Sequence, residues 1–237
     1  MDLKFLGRGA AFNPMEGNTS AYVKEGEKLL LLDCGESVFT ELIRRQVLDG
    51  VKEVWIAVSH MHSDHCGALG SLTLYCAEKL DFNARILLPK GDERFESELR
   101  QLIRLFGVPD QMVDYVPESS NMGFKAFSGF RFCQTRHAPA LDCYSFAFET
   151  PGGGVFYTAD TATADGIEAF IGQHPRFEHV YTESINAEKH PVHLPLHVLA
   201  DLIPPEDRAR VSIMHLNGAG CEEAAKALGF DVVRCDG

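Results

Sequence analysis

The segment VSHMHSDHCGAL, residues 58–69, sets His60, His62, Asp64 and His65 within six residues. Imidazole nitrogens and carboxylate oxygens, without thiolates, are donors suited to Zn²⁺, Fe²⁺ or Mn²⁺. In an extended chain, side chains two residues apart point the same way, so His60 and His62 can approach one ion together. Ser63 or Asp64 is a natural cap for a following helix, from which Asp64 and His65 would project towards a second position. Incidental loop histidines would not be expected to gather like this directly behind an apolar run, VWIAV.

That run belongs to VKEVWIAVSH, which reads as a buried strand, and GALGSLTLYCAEKL behind the cluster reads as a helix. Before it come a strand at LKFLG, a hairpin AYVKEG/EKLLLLDCG across Gly26, and a helix over ESVFTELIRRQVLDG with Gly50 as its stop. ARILLPK is a further strand. ERFESELRQLIRLFG is an amphipathic helix with acidic residues early and Arg100 and Arg104 late, as the helix dipole favours. After Gly123 the β-type runs FKAF, FRFCQTRH, CYSFAFET and GVFYTAD follow one another. The chain closes on alternating elements: TADGIEAFIGQ, HVYTES, HLPLHVLADL, RVSIMH, CEEAAKALG and FDVVRC. The order βββαβαβα, meander, αβαβαβ suits two mixed sheets with helices on their outer faces, and its symmetry suggests an internal duplication.

The 237 residues carry a formal net charge of −12 and 45% apolar residues. One large α/β domain spanning 1–237 is the expected organisation. The acidic balance argues against a broad nucleic-acid footprint, which needs clustered Lys and Arg. No apolar run is long enough to span a bilayer, and MDLKFLGRGAAF lacks the pattern of a signal peptide. The seven cysteines include no CxxC pair; reduced thiols and a cytoplasmic location are expected.

HMHSDH resembles the His-x-His-x-Asp-His signature of the metallo-β-lactamase superfamily. Other segments follow the family's order: LGRGAA is similar to its first strand and loop, LLLLDCGE to its strand ending in Asp-x-Gly, and YTADT to its Tyr-Thr-Gly-Asp-Thr. TRHAP and SIMH each offer a further histidine. The resemblance implies a four-layer αββα sandwich, classed as α/β or α+β, with two divalent metals, zinc foremost. It assigns His60, His62 and His137 to one metal, Asp64, His65 and His215 to the other, and Asp160 to both. Asp33 is expected to hydrogen-bond a ligand histidine, fixing its tautomer.

A binuclear site of this kind lowers the pKa of a shared water towards neutrality, with Asp64 or Asp160 as the expected proton acceptor in catalysis. His62 matches the zinc-type pattern, whereas oxygen-reducing diiron members carry Glu there. The opening GRGAAFNPMEGNTSAYV and the YTADT–TES–H succession look most like the ribonuclease Z and cyclic-phosphodiesterase branch. No long Gly- and Pro-rich insertion resembles a tRNA-gripping arm, so a small or cyclic nucleotide phosphodiester is expected in preference to tRNA. Thioester or lactone hydrolysis is the alternative; an iron redox enzyme and a non-catalytic metal-binding module are outsiders. Glu183 resembles the Glu of the ribonuclease Z His-Glu-Ala-Thr motif, with Thr182 in place of its His. His193 and His197, spaced i, i+4, are expected to share a helical face turned to the substrate. Cys34 and Cys66 are expected to be packed and inert. A homodimer is the usual assembly of this fold by resemblance.

Overall fold

Leu29, Leu30, Leu31 and Leu32 are fully buried, as an apolar strand covered on both faces of a sheet requires. In the computed structural model, which describes residues 3–235, they belong to β3 (Lys28–Leu32). The sheet contains β1 (Lys4–Gly7), β2 (Ser20–Glu25), β3, β4 (Glu53–Ala57), β5 (Ala84–Leu88) and β6 (Val113–Pro117), hydrogen-bonded in that order. The first three strands are antiparallel, and β3 to β6 are parallel. Gly26, at φ 59°, turns the β2–β3 hairpin without the strain a side chain would meet there. This sheet lies in one of two compact units, Asn18–Lys125 together with β1.

The helices of this unit are α1 (Val38–Arg44), α2 (Ser63–Cys66), α3 (Leu69–Lys79) and α4 (Glu93–Leu105). In α4 the spacing of Phe95, Leu99 and Ile103 puts all three on one buried stripe. Asp92 caps it, its carboxylate accepting from the Phe95 amide at 3.0 Å, a contact worth about 1 kcal/mol.

The second unit comprises Arg8–Gly17 and Ala126–Arg234. Its sheet contains β7 (Ser128–Thr135), β8 (Cys143–Thr150), β9 (Gly153–Tyr157), β10 (His179–Glu183), β11 (Val211–Met214) and β12 (Asp231–Val232). The strands bond in the order β12-β11-β10-β9-β8-β7. Here too three antiparallel strands come first, and β9 to β12 are parallel. The symmetry read from the element order is thus present as a repeated sheet topology. Helices α5 (Asp165–Gln173), α6 (Leu196–Leu202) and α7 (Cys221–Ala227) supply Ile167, Phe170, Leu199 and Ala225 to a core with Phe156, Val180 and Ile213. The Phe156 and Phe170 rings stack at 4.8 Å.

Several boundaries differ from expectation. The helix expected to run to Gly50 ends at Arg44 because Gln46 turns to φ 53°, yet Val47 and Leu48 still reach the core. The strand β6 was not expected from VDYVP. Its Pro and Asp are tolerated because it is the edge strand of its sheet. FKAF, expected as a strand, forms none. The helix α6 begins at Leu196, because Pro195 disfavours helical geometry at Leu194. No helix among the described residues is long and apolar enough to cross a membrane.

Candidate metal centre

In the first unit the chemistry sits beyond the carboxyl ends of two adjacent parallel strands, where open α/β sheets place their ligands. Asp33 follows β3, and His60 follows β4. The helix cap falls on His62, one residue before the expected Ser63 and two before Asp64. Asp64 therefore stands inside the first turn of α2, 5% exposed, with Oδ2 3.4 Å from His65 Nε2. The Nε2 of His60 lies 2.9 Å from Nδ1 of His62. Gly35 lets the backbone of α2 pack this closely: a Cβ there would sit 1.9 Å from the Asp64 carbonyl oxygen.

Asp33 is fully buried at φ 64°. Its Oδ1 accepts from the Ser59 amide at 2.7 Å, and its Oδ2 accepts from the Ser59 hydroxyl at 3.0 Å and His65 Nδ1 at 2.9 Å. Burial pushes its carboxyl up from the ordinary value, while the attraction of His65 and these hydrogen bonds pull it back down. The Ser59 hydroxyl also lies 3.0 Å from His60 Nδ1.

In the second unit, β7 runs the same way as β9, β10 and β11, so their carboxyl ends share one sheet edge. His137 follows β7, Asp160 follows β9, Glu183 ends β10 and His215 follows β11. Asp160 is 2% exposed. Its Oδ2 is 3.5 Å from His137 Nε2, and its Oδ1 is 3.3 Å from His215 Nε2. His137 Nδ1 donates to the Val192 carbonyl at 2.6 Å. Ala159 and His215 both adopt positive φ, 51° and 55°, in the region where a side chain costs about 1–2 kcal/mol. Such strain persists where surrounding contacts over-determine it, often at functional sites.

These donors fit a divalent cation. The carboxylate–imidazole separations exceed the 2.7–2.9 Å typical of charge-assisted hydrogen bonds. They match the separation of about 3.3 Å between two ligands on one tetrahedral zinc with bonds near 2.0–2.1 Å. For His65 and His137, a proton on the anchored Nδ1 leaves Nε2 with its lone pair, as ligation demands.

Glu183, expected to contact substrate, is instead fully buried. Its carboxylate accepts from the Thr161 amide at 2.7 Å and from His193 Nδ1 at 2.8 and 2.9 Å. His193 lies in the loop before α6, so the shared helical face expected with His197 does not form; His197 is exposed on α6 itself. The imidazole of His193 stands 5.1 Å from that of His137 and 5.5 Å from that of His215, centroid to centroid. Ligand atoms of His137, Asp160, Glu183 and His193 all lie within 4.8 Å of one another. Sequence periodicity could not find the Glu183–His193 pair, because its members come from a strand end and a loop ten residues later.

The thiols take no part. Burial pushes those of Cys66 and Cys76 up to about 12 and that of Cys34 well above its ordinary value, so none is a thiolate near neutrality. At pH 8 the native protein should react with a disulfide reagent at the partly exposed Cys133 and Cys235, while the five buried cysteines react only after denaturation. Peptide mass mapping would check this; rapid labelling of Cys66 in the native state would contradict it.

A family model described as Anti-Pycsar protein Apyc1 matches residues 1–234. The Anti-Pycsar protein Apyc1 of Bacillus phage 010DV004 is 29% identical over 241 residues, covering 91% of this chain and 88% of that one. The human zinc phosphodiesterase ELAC protein 1 is 36% identical over 73 residues, 30% of this chain and 20% of that one. Among solved structures, the metallo-β-lactamase fold protein YhfI of Bacillus subtilis superposes with a TM-score of 0.75 at 16% identity, covering 99% of this chain and 97% of that one. The fold is therefore the metallo-β-lactamase fold expected from HMHSDH, and its His/Asp clusters have the donor set and spacing to hold a divalent metal ion. The chain belongs to the Anti-Pycsar protein Apyc1 family of metallo-hydrolases.

Proposed function

We propose that this enzyme hydrolyses the phosphodiester of a small nucleotide-like substrate, a cyclic nucleotide foremost. Both units would serve one catalytic domain binding two zinc ions: one through His60, His62 and His137, the other through Asp64, His65 and His215, with Asp160 shared. The reading rests above all on Asp160, whose two carboxylate oxygens each face a different imidazole, as a ligand shared by two ions would. When bound, the ions would lower the pKa of a water and neutralise charge on the phosphoryl oxygens. Asp64 or Asp160 would take up the proton released in the attack. The names of the phage Anti-Pycsar relative and the human zinc phosphodiesterase support this class of chemistry.

His193 acts on the substrate and Glu183 positions it: Nδ1 donates to the buried carboxylate, which holds the imidazole beside those of His137 and His215. A hydrogen bond to a charged group is worth about 1.5–3 kcal/mol, so His193→Ala should lower kcat/KM by roughly tenfold to a hundredfold while zinc content holds. Metal analysis beside steady-state kinetics would check it, and loss of zinc in the variant would instead make His193 a ligand.

The decisive test is metal content of the purified protein together with turnover of bis(p-nitrophenyl) phosphate and 3′,5′-cyclic nucleotides, before and after chelation. Near two zinc ions per chain with chelator-sensitive turnover is expected. Two ions with no phosphodiester turnover, but with cleavage of a lactone or thioester, would overturn the phosphodiesterase reading.

A further inference from the structure

Phe12 and Met15 are 98% and 93% exposed, although large apolar side chains gain nothing from water. Their loop, Arg8–Gly17, is braced. Its ends are zipped by the Arg8 amide donating to the Glu16 carbonyl at 3.0 Å and the Gly9 amide to the Gly17 carbonyl at 2.7 Å. The Arg8 guanidinium binds Glu16 at 2.7 Å and Glu222 at 3.0 Å. Pro14 opens a short 3-10 turn to Glu16. A Cβ at Gly9 would stand 2.6 Å from the Asn13 carbonyl oxygen, so the loop closes tightly on itself.

This loop is also tied to the residue beside a candidate ligand. The Leu216 amide donates to the Arg8 carbonyl at 2.7 Å, and the Leu216 carbonyl accepts from the Ala10 amide at 3.1 Å and Asn13 Nδ2 at 2.9 Å. Leu216 directly follows His215, whose Nε2 faces Asp160. Phe12 is thus the neighbour of a side chain that touches the end of the ligand segment. A rigid support carries an apolar tip, and nothing in metal binding or phosphoryl chemistry calls for that tip.

We propose that Phe12, with Met15 three residues on, is the platform on which the base of the nucleotide substrate stacks. The inference rests on the phosphodiesterase reading and adds the part of the substrate that reading leaves unplaced. An aromatic face suits any base, because every base has a π-face. Contact between two copies of the chain is less well served: a stable interface buries about 800 Å² per partner, and a Phe side chain with one Met offers a fraction of that. A lipid surface is opposed by the net charge of −12 wherever the surface is anionic.

The test compares Phe12→Ala with the parent zinc enzyme on a purine and a pyrimidine 3′,5′-cyclic nucleotide and on methyl p-nitrophenyl phosphate, which has no base. The kcat/KM ratio of cyclic nucleotide to base-free diester should fall about tenfold or more, the loss expected from one base–aromatic stack. In Phe12→Trp the ratio should persist. Emission of the new indole, measured against the parent with its buried Trp55, should be quenched by cyclic nucleotide and not by ribose 5-phosphate. An unchanged ratio in Phe12→Ala, or an indole in Phe12→Trp that cyclic nucleotide leaves unquenched, overturns the proposal. So does a change in sedimentation mass with the ratio intact, which would make the tip a contact between copies. If the parent enzyme cleaves neither diester, the phosphodiesterase reading has failed, while quenching of the indole in Phe12→Trp still reports separately on base binding.

Discussion

Asp160→Asn should abolish hydrolysis and lower bound metal together. The carboxylate is 2% exposed, and its two oxygens stand 3.3 Å and 3.5 Å from nitrogens of His215 and His137. An amide of the same shape replaces one oxygen by an NH₂ group, which carries no lone pair for a cation, and removes the negative charge. Whichever way the amide turns, one of the two imidazoles loses its shared partner. Charge stabilisation by a metal is worth several kcal/mol, so turnover should fall about a thousandfold or more. Folding should survive, because the side-chain volume is unchanged. Metal content after desalting, kcat on bis(p-nitrophenyl) phosphate and a thermal melt would decide the matter. A variant that keeps full metal and a tenth of the activity would remove Asp160 from the centre.

How far the sequence reveals this arrangement depends on the range over which each feature is encoded. HMHSDH is local: its candidate ligands follow one strand within six residues, so residue type and period 2 suffice to find them. His137, Asp160 and His215 are recognisable because each follows a strand end in family order, although the spacing itself does not say that those ends share one edge. The sheet order does, since β7, β9, β10 and β11 point the same way. Features decided by tertiary contact were out of reach. Glu183 reads as a substrate group until its burial and its bonds to Thr161 and His193 are seen. The edge strand β6 carries Asp114 and Pro117, which local propensity counts against a strand. The positive φ of Ala159 and His215 has no local signal, since neither is Gly or Asn; the Gly that the resembled motif Tyr-Thr-Gly-Asp-Thr carries where this chain has Ala159 makes sense only once that φ is known.

Asp33→Asn should weaken metal binding about 10- to 100-fold, the usual cost of losing a partner behind a ligand histidine, although Asp33 need touch no metal. The carboxylate accepts three hydrogen bonds: from the Ser59 amide on Oδ1, and from the Ser59 hydroxyl and His65 Nδ1 on Oδ2. An asparagine can satisfy only one side. With its NH₂ towards His65, Nδ1 must become the acceptor; the proton moves to Nε2, and the lone pair a cation requires is gone. With its NH₂ towards Ser59, two donors face each other across 2.7 Å at a cost of about 1–3 kcal/mol. Either way the site loses, by tautomer in one case and by stability in the other. Asparagine is among the few residues at ease near φ 64°, so the backbone itself gives no reason for collapse. Asp33→Ala adds the strain of that φ and leaves the buried Ser59 amide without its acceptor, so its melting temperature should fall further, by about 2–4 °C for each kcal/mol lost in a chain of this size. Competition with a calibrated chelator measures the affinity, and melts of the metal-free proteins isolate the folding cost. Wild-type affinity in Asp33→Asn would mean that His65 keeps its metal-binding tautomer by some other contact, and the role assigned to Asp33 would fall.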